Sequence, residues 1–400
     1  MLRGLRKPSR PRRVALIYDA TRAYDLKVMG GVAAYLREGA GWSVYIEETA
    51  LKDQRLPALA SWHGDGIIAN FDNPRVVRAV LQSRLPAVAF GSGYGWYDPK
   101  FRIPYLFTNN GAIARIAADH LLDRGFRNFA YYGGVRTRIN GWSVERERAF
   151  SEHVGNRGRE CQVYRDRRQI GRNWASRQRA LVRWLASLPK PVGLMAENDQ
   201  RARLVLEGCR SAGLRAPEEV AVIGVDNDEL LCQLSTPLLS SVEQGSLRIG
   251  YEAAAVLDRI MSGRKPRRTR MVIDPIGVMP RGSTDIFAVE DRKVAEAMRY
   301  VWERACDGIQ ARDVADAVGV SRSGLDAHFK RGLGRTVRAA IRDAQLQATV
   351  RLISDTTLSL KEIAGKTGFR SVQHMTTVFR QAFGNPPAEY RRTRFRLAAL

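Results

Sequence analysis

Polar side chains recur where short apolar runs end: Asp19, Tyr24-Asp25, Asp72, Ser92, Asn198-Asp199, Asp226-Asn227 and Gln244. Carboxylates and amides of this kind pair in a planar, bidentate way with adjacent hydroxyls, so together they could hold a small polyhydroxyl ligand. Phe71, Trp96 and Trp142 could supply an aromatic face for its C–H side. An Asp or Asn that opens a helix after a strand caps that helix more often than it touches a ligand. Asp226 is the stronger case, because Val222-Ile223-Gly224-Val225 carries it directly to the end of an apolar strand. A second set lies near the C-terminus, at the starts of short helices: Ser321, Arg322, Ser323 and Asp326, then Ser371, Gln373, His374 and Thr377, with Arg370 and Arg380 beside them. Ser321 would cap its helix, the other seven could read base edges, and the two flanking arginines suit phosphate. Enzyme chemistry finds no comparable support. Gly91-Ser92-Gly93-Tyr94-Gly95 lacks the G-x-G-x-x-G spacing and precedes no helix, and no P-loop, H-E-x-x-H or G-x-S-x-G is present. The glycines read instead as a flexible strand exit.

Two different rhythms position these residues. From 14 to about 284, apolar runs (Val14–Tyr18, Gly66–Ala69, Ala87–Phe90, Phe129–Tyr132, Gly193–Ala196, Val220–Val225) alternate with amphipathic stretches such as Ala112–Arg124 and Arg201–Ala212. Such alternation predicts parallel sheets covered on both faces. A Pro/Gly-rich join follows, from Asp274 to Thr284, and beyond 290 everything reads as helix. There Ala311–Val318, a Gly319 turn and a helix opened by Ser321 form a helix-turn-helix. Ser359, Leu360–Lys366, the Gly368 turn and a helix opened by Ser371 repeat it about 50 residues later, and a long helix, 336–353, joins the two.

The 400 residues carry 65 Lys+Arg against 41 Asp+Glu, a net charge of +24, which points to a polyanionic partner. Residues 285–400 account for only +7 of it, so charge alone does not prove DNA binding. No apolar run reaches the roughly 18–20 residues of a membrane span. The five apolar residues after Arg13 are too few for a signal peptide, and the expectation is a cytoplasmic protein. Cys161, Cys209, Cys232 and Cys306 form no CxxC pair and read as buried or free thiols, without a metal. The five histidines show no ligand spacing and read mostly as surface or cap residues, and no cofactor is expected.

The tail resembles the AraC/XylS-type DNA-binding domain. Ser359-Leu360-Lys361-Glu362-Ile363-Ala364, Gly368-Phe369-Arg370-Ser371, Val378-Phe379-Arg380 and the P-x-x-Y-R ending at Pro387–Arg391 carry the likeness. Met375, Thr377 and Gln345 depart from residues common in that family, which leaves the operator sequence unspecified. Residues 1–284 resemble periplasmic binding proteins and LacI-type cores, two doubly wound lobes that trap a small ligand between them. The segment Arg281-Gly282-Ser283-Thr284 is similar to the R-x-S-T close of LacI-type cores, and Arg146-Glu147-Arg148-Ala149-Phe150 to their R-x-x-G-F ligand arginine. This likeness implies sugar contacts at Arg146, Asn198, Asp226 and Gln244.

The order of the halves, with the helix-turn-helices last, resembles regulators of xylose operons. Ala23-Tyr24-Asp25, Phe71-Asp72, Asp199–Arg203 and Gln244-Gly245 share the likeness. The expected architecture is a two-lobed α/β sensor and dimerisation domain, 1–284, followed by an all-α DNA-binding domain, 285–400, with helix-turn-helices at about 311–331 and 359–383. The implied function is a non-enzymatic activator of D-xylose catabolism and transport genes. Its partners would be operator DNA, D-xylose, RNA polymerase and a second copy of the chain, with no membrane. The same architecture sensing another sugar or a sugar acid stays open, and so, more remotely, does a sugar-modifying enzyme with a DNA-binding tail.

Overall fold

The computed structural model describes residues 10–46, 62–93, 97–134, 140–165, 174–266, 268–286, 288, 291–356, 358–383 and 386–391. Two six-stranded sheets fill its first part. The strands are β1 (Arg12–Ile17), β2 (Trp42–Ile46), β3 (Gly66–Asn70), β4 (Ala87–Gly91), β5 (Tyr105–Thr108), β6 (Asn128–Gly133), β7 (Cys161–Arg165), β8 (Val192–Ala196), β9 (Val220–Val225), β10 (Ser240–Glu243), β11 (Arg270–Ile273) and β12 (Gly277–Met279). One sheet runs β11-β5-β4-β3-β1-β2, all parallel. The other runs β12-β10-β9-β8-β6-β7, parallel except where β12 meets β10. The central strands β3, β4, β8 and β9 are buried along their whole length. That explains why they read as unbroken apolar runs, while half-exposed edge strands such as β2 and β7 gave no such signal.

Helices α1 (Ala23–Tyr35), α2 (Pro74–Ser83), α3 (Asn110–Leu122), α4 (Gly141–Gly155), α5 (Trp174–Ser187), α6 (Asp199–Ser211), α7 (Glu229–Gln233) and α8 (Ser246–Met261) cover the sheets. The chain passes between lobes after β5, β10 and β11. Thus α3 joins the core of the second sheet, and α8 returns to the core of the first. Helices α1 and α8 pack with their backbones nearly touching. A Cβ on Gly250 would fall 1.8 Å from the Val28 carbonyl oxygen, and one on Gly31 1.9 Å from that of Leu247.

Beyond the sheets lie α9 (Arg292–Arg304), α10 (Ala311–Ala317), α11 (Arg322–Leu333), α12 (Val337–Asp355), α13 (Leu360–Lys366) and α14 (Val372–Phe383). Val294, Met298 and Val301 form one buried stripe of α9, continued by Ala305 just past its end, in a core shared with α10, α11 and the first half of α12. A second core gathers the rest of α12 with α13 and α14, and Met279 of β12 packs on it. Ser321 accepts from the Gly324 amide at 3.1 Å, and Ser371 from the His374 amide at 3.1 Å. Ser359 and Glu362 cap each other reciprocally. Gly368 turns at φ 73°, with Ala305 and Gln345 so close that any side chain would collide. None of the described helices is long and apolar enough to cross a membrane.

The α1–α8 contact yields a test. Alanine raises intrinsic helix propensity by about 1 kcal/mol over glycine, but the added carbon at Gly250 has no room. Overpacking costs ~1–3 kcal/mol or more and should win. Gly250→Ala is therefore expected to lower the urea midpoint of the full chain, and an unchanged or raised midpoint refutes the tight packing.

Candidate functional site

The strand ends of the two lobes face each other across a cavity of about 60 Å³, space for about four to six waters at roughly 10–15 Å³ each. The first lobe contributes Arg22, Tyr24, Ser92 and Thr108 to its wall; the second contributes Trp142, Arg146, Asn198, Gln200, Asp226, Asp228 and Leu231, and Gln244 lies at a crossover. Arg146, on α4, is buried and makes three hydrogen bonds. Its Nε donates to Asn110 Oδ1 (3.0 Å), Nη1 to the Glu197 carbonyl (2.7 Å) and Nη2 to Gln244 Oε1 (2.9 Å). The guanidinium lies 4.7 Å from the Trp142 ring centroid, within cation–π reach. Gln244 in turn donates its amide to Asp226, so Arg146, Gln244 and Asp226 form one chain along the cavity wall. Burial raises the Asp226 carboxyl above its ordinary range, against the pull of Arg146 and Lys27.

The turn that presents Asp226 is strained. Asp226 (φ 109°) and Asn227 (φ 48°) both occupy the left-handed region that non-glycine residues seldom visit. Their surroundings hold them there. Lys27 of α1, in the opposite lobe, donates to the carbonyls of Asp226 (2.6 Å) and Asn227 (2.9 Å) and pairs with Glu243. Asn227 also receives Arg281 Nη2 at 2.8 Å. The Asp226 turn is thus clamped across the lobes by a lysine that its position in the sequence does not mark.

Of the residues singled out from the sequence, Tyr24, Ser92, Arg146, Asn198, Asp226 and Gln244 line the cavity. Three carboxylates stand behind the wall instead, because protein donors take them up. Asp25 Oδ2 accepts from the Asp19 amide and Asn70 Nδ2, each at 2.8 Å. Asp72 accepts from Ser92 Oγ (2.9 Å) and Arg22 Nη1 (3.1 Å), and Asp199 from Ser241 Oγ (2.6 Å) and the Asp228 amide (2.8 Å). Asn198 does both jobs: its Oδ1 caps α6 while its side chain borders the cavity. Phe71 is wholly buried in the first lobe's core and offers no face to a ligand, and Trp96 lies outside the described residues. Arg22, Thr108, Gln200, Asp228 and Leu231 were not anticipated. Asp228 alone had a usable signal, two residues past the strand end that already marked Asp226.

In the helical half, Ser321, Arg322 and Ser323 are exposed at the start of α11; Arg370, Ser371, Gln373, His374, Thr377 and Arg380 are exposed on and beside α14. Asp326 is half-buried and accepts from the Val337 amide at 3.4 Å, at the N-terminus of α12. The groove between the two motifs adds Arg312, Arg338 and Arg342 to Arg322 and Arg370. No motif marked those three, because their shared face exists only once α12 sets the two motifs side by side. Gln345 anchors that placement by donating to the carbonyls of Ala305 (3.1 Å) and Gly368 (3.0 Å).

The join is built into the second lobe. Ser283 and Thr284 are wholly buried; Ser283 donates to the Val222 carbonyl (2.6 Å), and Thr284 pairs with Ser240 Oγ (2.7 Å) and His120 Nε2 (2.8 Å). His120 is accordingly a core residue and not a surface one, and burial keeps its imidazole well below the usual histidine range.

Asp25 gives a pH test. Burial, outweighing Arg22, raises its carboxyl from 3.8 to about 6, so the native state holds the proton more tightly than the unfolded chain. Stability from this group is present below about pH 4 and is lost as pH rises through 6, by ~3 kcal/mol for about two units. Asp25→Asn should remove that slope, gaining on the wild type between pH 4.5 and pH 7 in urea unfolding. Parallel pH profiles for the two proteins would contradict it.

Comparison with known proteins agrees with this layout. Residues 13–111 match the XylR N-terminal domain family, 118–284 the periplasmic binding protein-like domain, and 314–393 the helix-turn-helix domain. The xylose operon regulatory protein of Escherichia coli (strain K12) is 36% identical over 95% of this chain and 96% of its own length. That of Haemophilus influenzae (strain ATCC 51907 / DSM 11121 / KW20 / Rd) is 34% identical over 95% and 98%. A solved xylose-binding transcription activator superposes with a TM-score of 0.63 at 36% identity, covering 96% of this chain and 98% of that one. A cellobiose-bound transcriptional regulator shares the sensor's fold at 23% identity, with a TM-score of 0.55 over 68% of this chain and 85% of that one. With its two-lobed sensor, its paired helix-turn-helices and this likeness along its whole length, the chain belongs to the xylose operon regulatory protein family of transcriptional regulators.

Proposed function

We propose that the interlobe cavity binds D-xylose and that the bound sugar promotes operator binding by the paired helix-turn-helices, activating genes of D-xylose uptake and catabolism. The observation that carries the reading is the Arg146–Gln244–Asp226 chain, which lines the cavity between the lobes. Its amide and carboxylate sit at strand ends with Trp142 beside them, which suits a ligand with several hydroxyls and an apolar face. The activator works in the cytoplasm as a homodimer, so that four helix-turn-helices meet tandem half-sites, and it engages RNA polymerase at the promoter. In each chain the two recognition helices enter successive major grooves about one turn of DNA, ~34 Å, apart.

A sugar that binds only the folded chain raises its melting temperature by mass action. D-xylose is expected to do so for the wild type. Asp226→Ala, which leaves Gln244 without its acceptor, should lose ~2–5 kcal/mol of binding while remaining folded. Xylose binding of wild-type strength in that variant would overturn the site.

For the DNA face, Arg322→Ala and Gln373→Ala should each cost ~1–3 kcal/mol of operator affinity, read by fluorescence anisotropy at fixed salt. Arg342→Ala should weaken specific and non-specific DNA alike. If Arg322→Ala and Gln373→Ala both bind operator like the wild type, the recognition helices have been placed wrongly.

A further inference from the structure

We infer that α3 carries the state of the sugar cavity to the DNA-binding half, and that Arg124 stacked on Trp302 is the contact that delivers it. This rests on the reading of the cavity as the effector site. Helix α3 begins at the cavity. Asn110, its first residue, donates to the Ser92 carbonyl of the first lobe (2.8 Å) and accepts from Arg146 Nε of the second (3.0 Å). Asn109, just before it, accepts from the Ala112 amide (3.0 Å) and donates to Asp274 at another crossover (2.8 Å). A change in how the lobes meet therefore moves the first turn of α3. A helix of 13 residues spans about 20 Å at 1.5 Å per residue and transmits such a displacement as a rod.

The other end of α3 meets the helical half. Arg124 is buried; its Nε donates to the Thr284 carbonyl (2.7 Å), and its own carbonyl accepts from the Ala288 amide (2.8 Å). Its guanidinium carbon stands 5.2 Å from the ring centroid of Trp302 on α9. One residue earlier, the Asp123 carbonyl accepts from Arg335 (3.1 Å), which also holds Asp343 of α12 (2.9 Å). Along its length α3 presents Ile116, Asp119 and His120, with Asp123 just beyond its end, to a cavity of about 570 Å³ that Val350 and Phe383 also line. The helical half thus stands off from the middle of α3 and meets it at its C-terminal end, while Met279 of β12 packs on the second helical core. A displacement there acts on α9, and with it on the first recognition helix packed on the same core.

The test uses the full chain, D-xylose, and a DNA fragment selected by the wild type. Trp302→Leu keeps an apolar side chain but removes the π face, and Trp302→Phe retains one. Both are expected to bind xylose within about twofold of the wild type, by calorimetry, and to bind DNA without sugar equally well. The xylose-induced gain in DNA affinity, typically about 5- to 150-fold in allosteric proteins, should fall at least fivefold in Trp302→Leu and largely return in Trp302→Phe. A responsive wild type with an equally responsive Trp302→Leu overturns the coupling alone. A wild type whose DNA affinity ignores xylose overturns the effector reading and the coupling with it.

Discussion

The buried guanidinium of Arg146 is the constraint around which the sensor is arranged. A permanent charge removed from water is tolerable only when oxygens surround it, and this one finds them on three separate pieces of chain. Asn110 belongs to the crossover after β5, the Glu197 carbonyl ends β8, and Gln244 belongs to the crossover after β10. Two of the three segments that connect the lobes are thereby fixed to one side chain. Because the same guanidinium abuts Trp142 and, through Gln244, orients Asp226, the cavity wall and the hinge are one hydrogen-bonded unit. A ligand that alters the unit alters the relation between the lobes.

Lys27 adds a second bond between the lobes. It reaches from α1 into the second lobe and caps two carbonyls of a strained turn together with the Glu243 carboxylate. An ammonium with three donors suits this point-like task, as the planar fork of arginine suits the three-way task at Arg146. Both cations serve the sensor's architecture. They show why the positive charge of residues 1–284 cannot be read wholesale as a nucleic-acid surface.

The helical half solves a different problem, that of setting two recognition helices in a fixed relation. Helix α12 runs through both cores, with Val337, Ala340, Ile341 and Ala344 in one and Leu346, Val350 and Ile353 in the other. Gln345, at the changeover, donates to the carbonyls of Ala305, just past α9, and Gly368, in the turn between α13 and α14. A glutamine there supplies the two bonds without burying a charge.

The sequence by itself determined the fold class, the central strands and the paired helix-turn-helices, because each depends on local periodicity, a capping serine or a turn glycine. Ser359 with Glu362 and the run ending at Asp226 carry their meaning within a few residues. Which polar residues face the cavity was legible only in part. Asp25, Asp72 and Asp199 are of the same residue types as Asp226 and lie at similar strand ends, yet neighbours distant in sequence occupy their oxygens: Asn70 45 residues away, Arg22 50, Ser241 42. Asp326 likewise accepts from an amide 11 residues on. Lys27, Arg338 and Arg342 gained their places only when separate elements met. The tertiary structure decided these assignments, since a polar group's role depends on which partners reach it first, and for these residues the partners come from other elements of the fold.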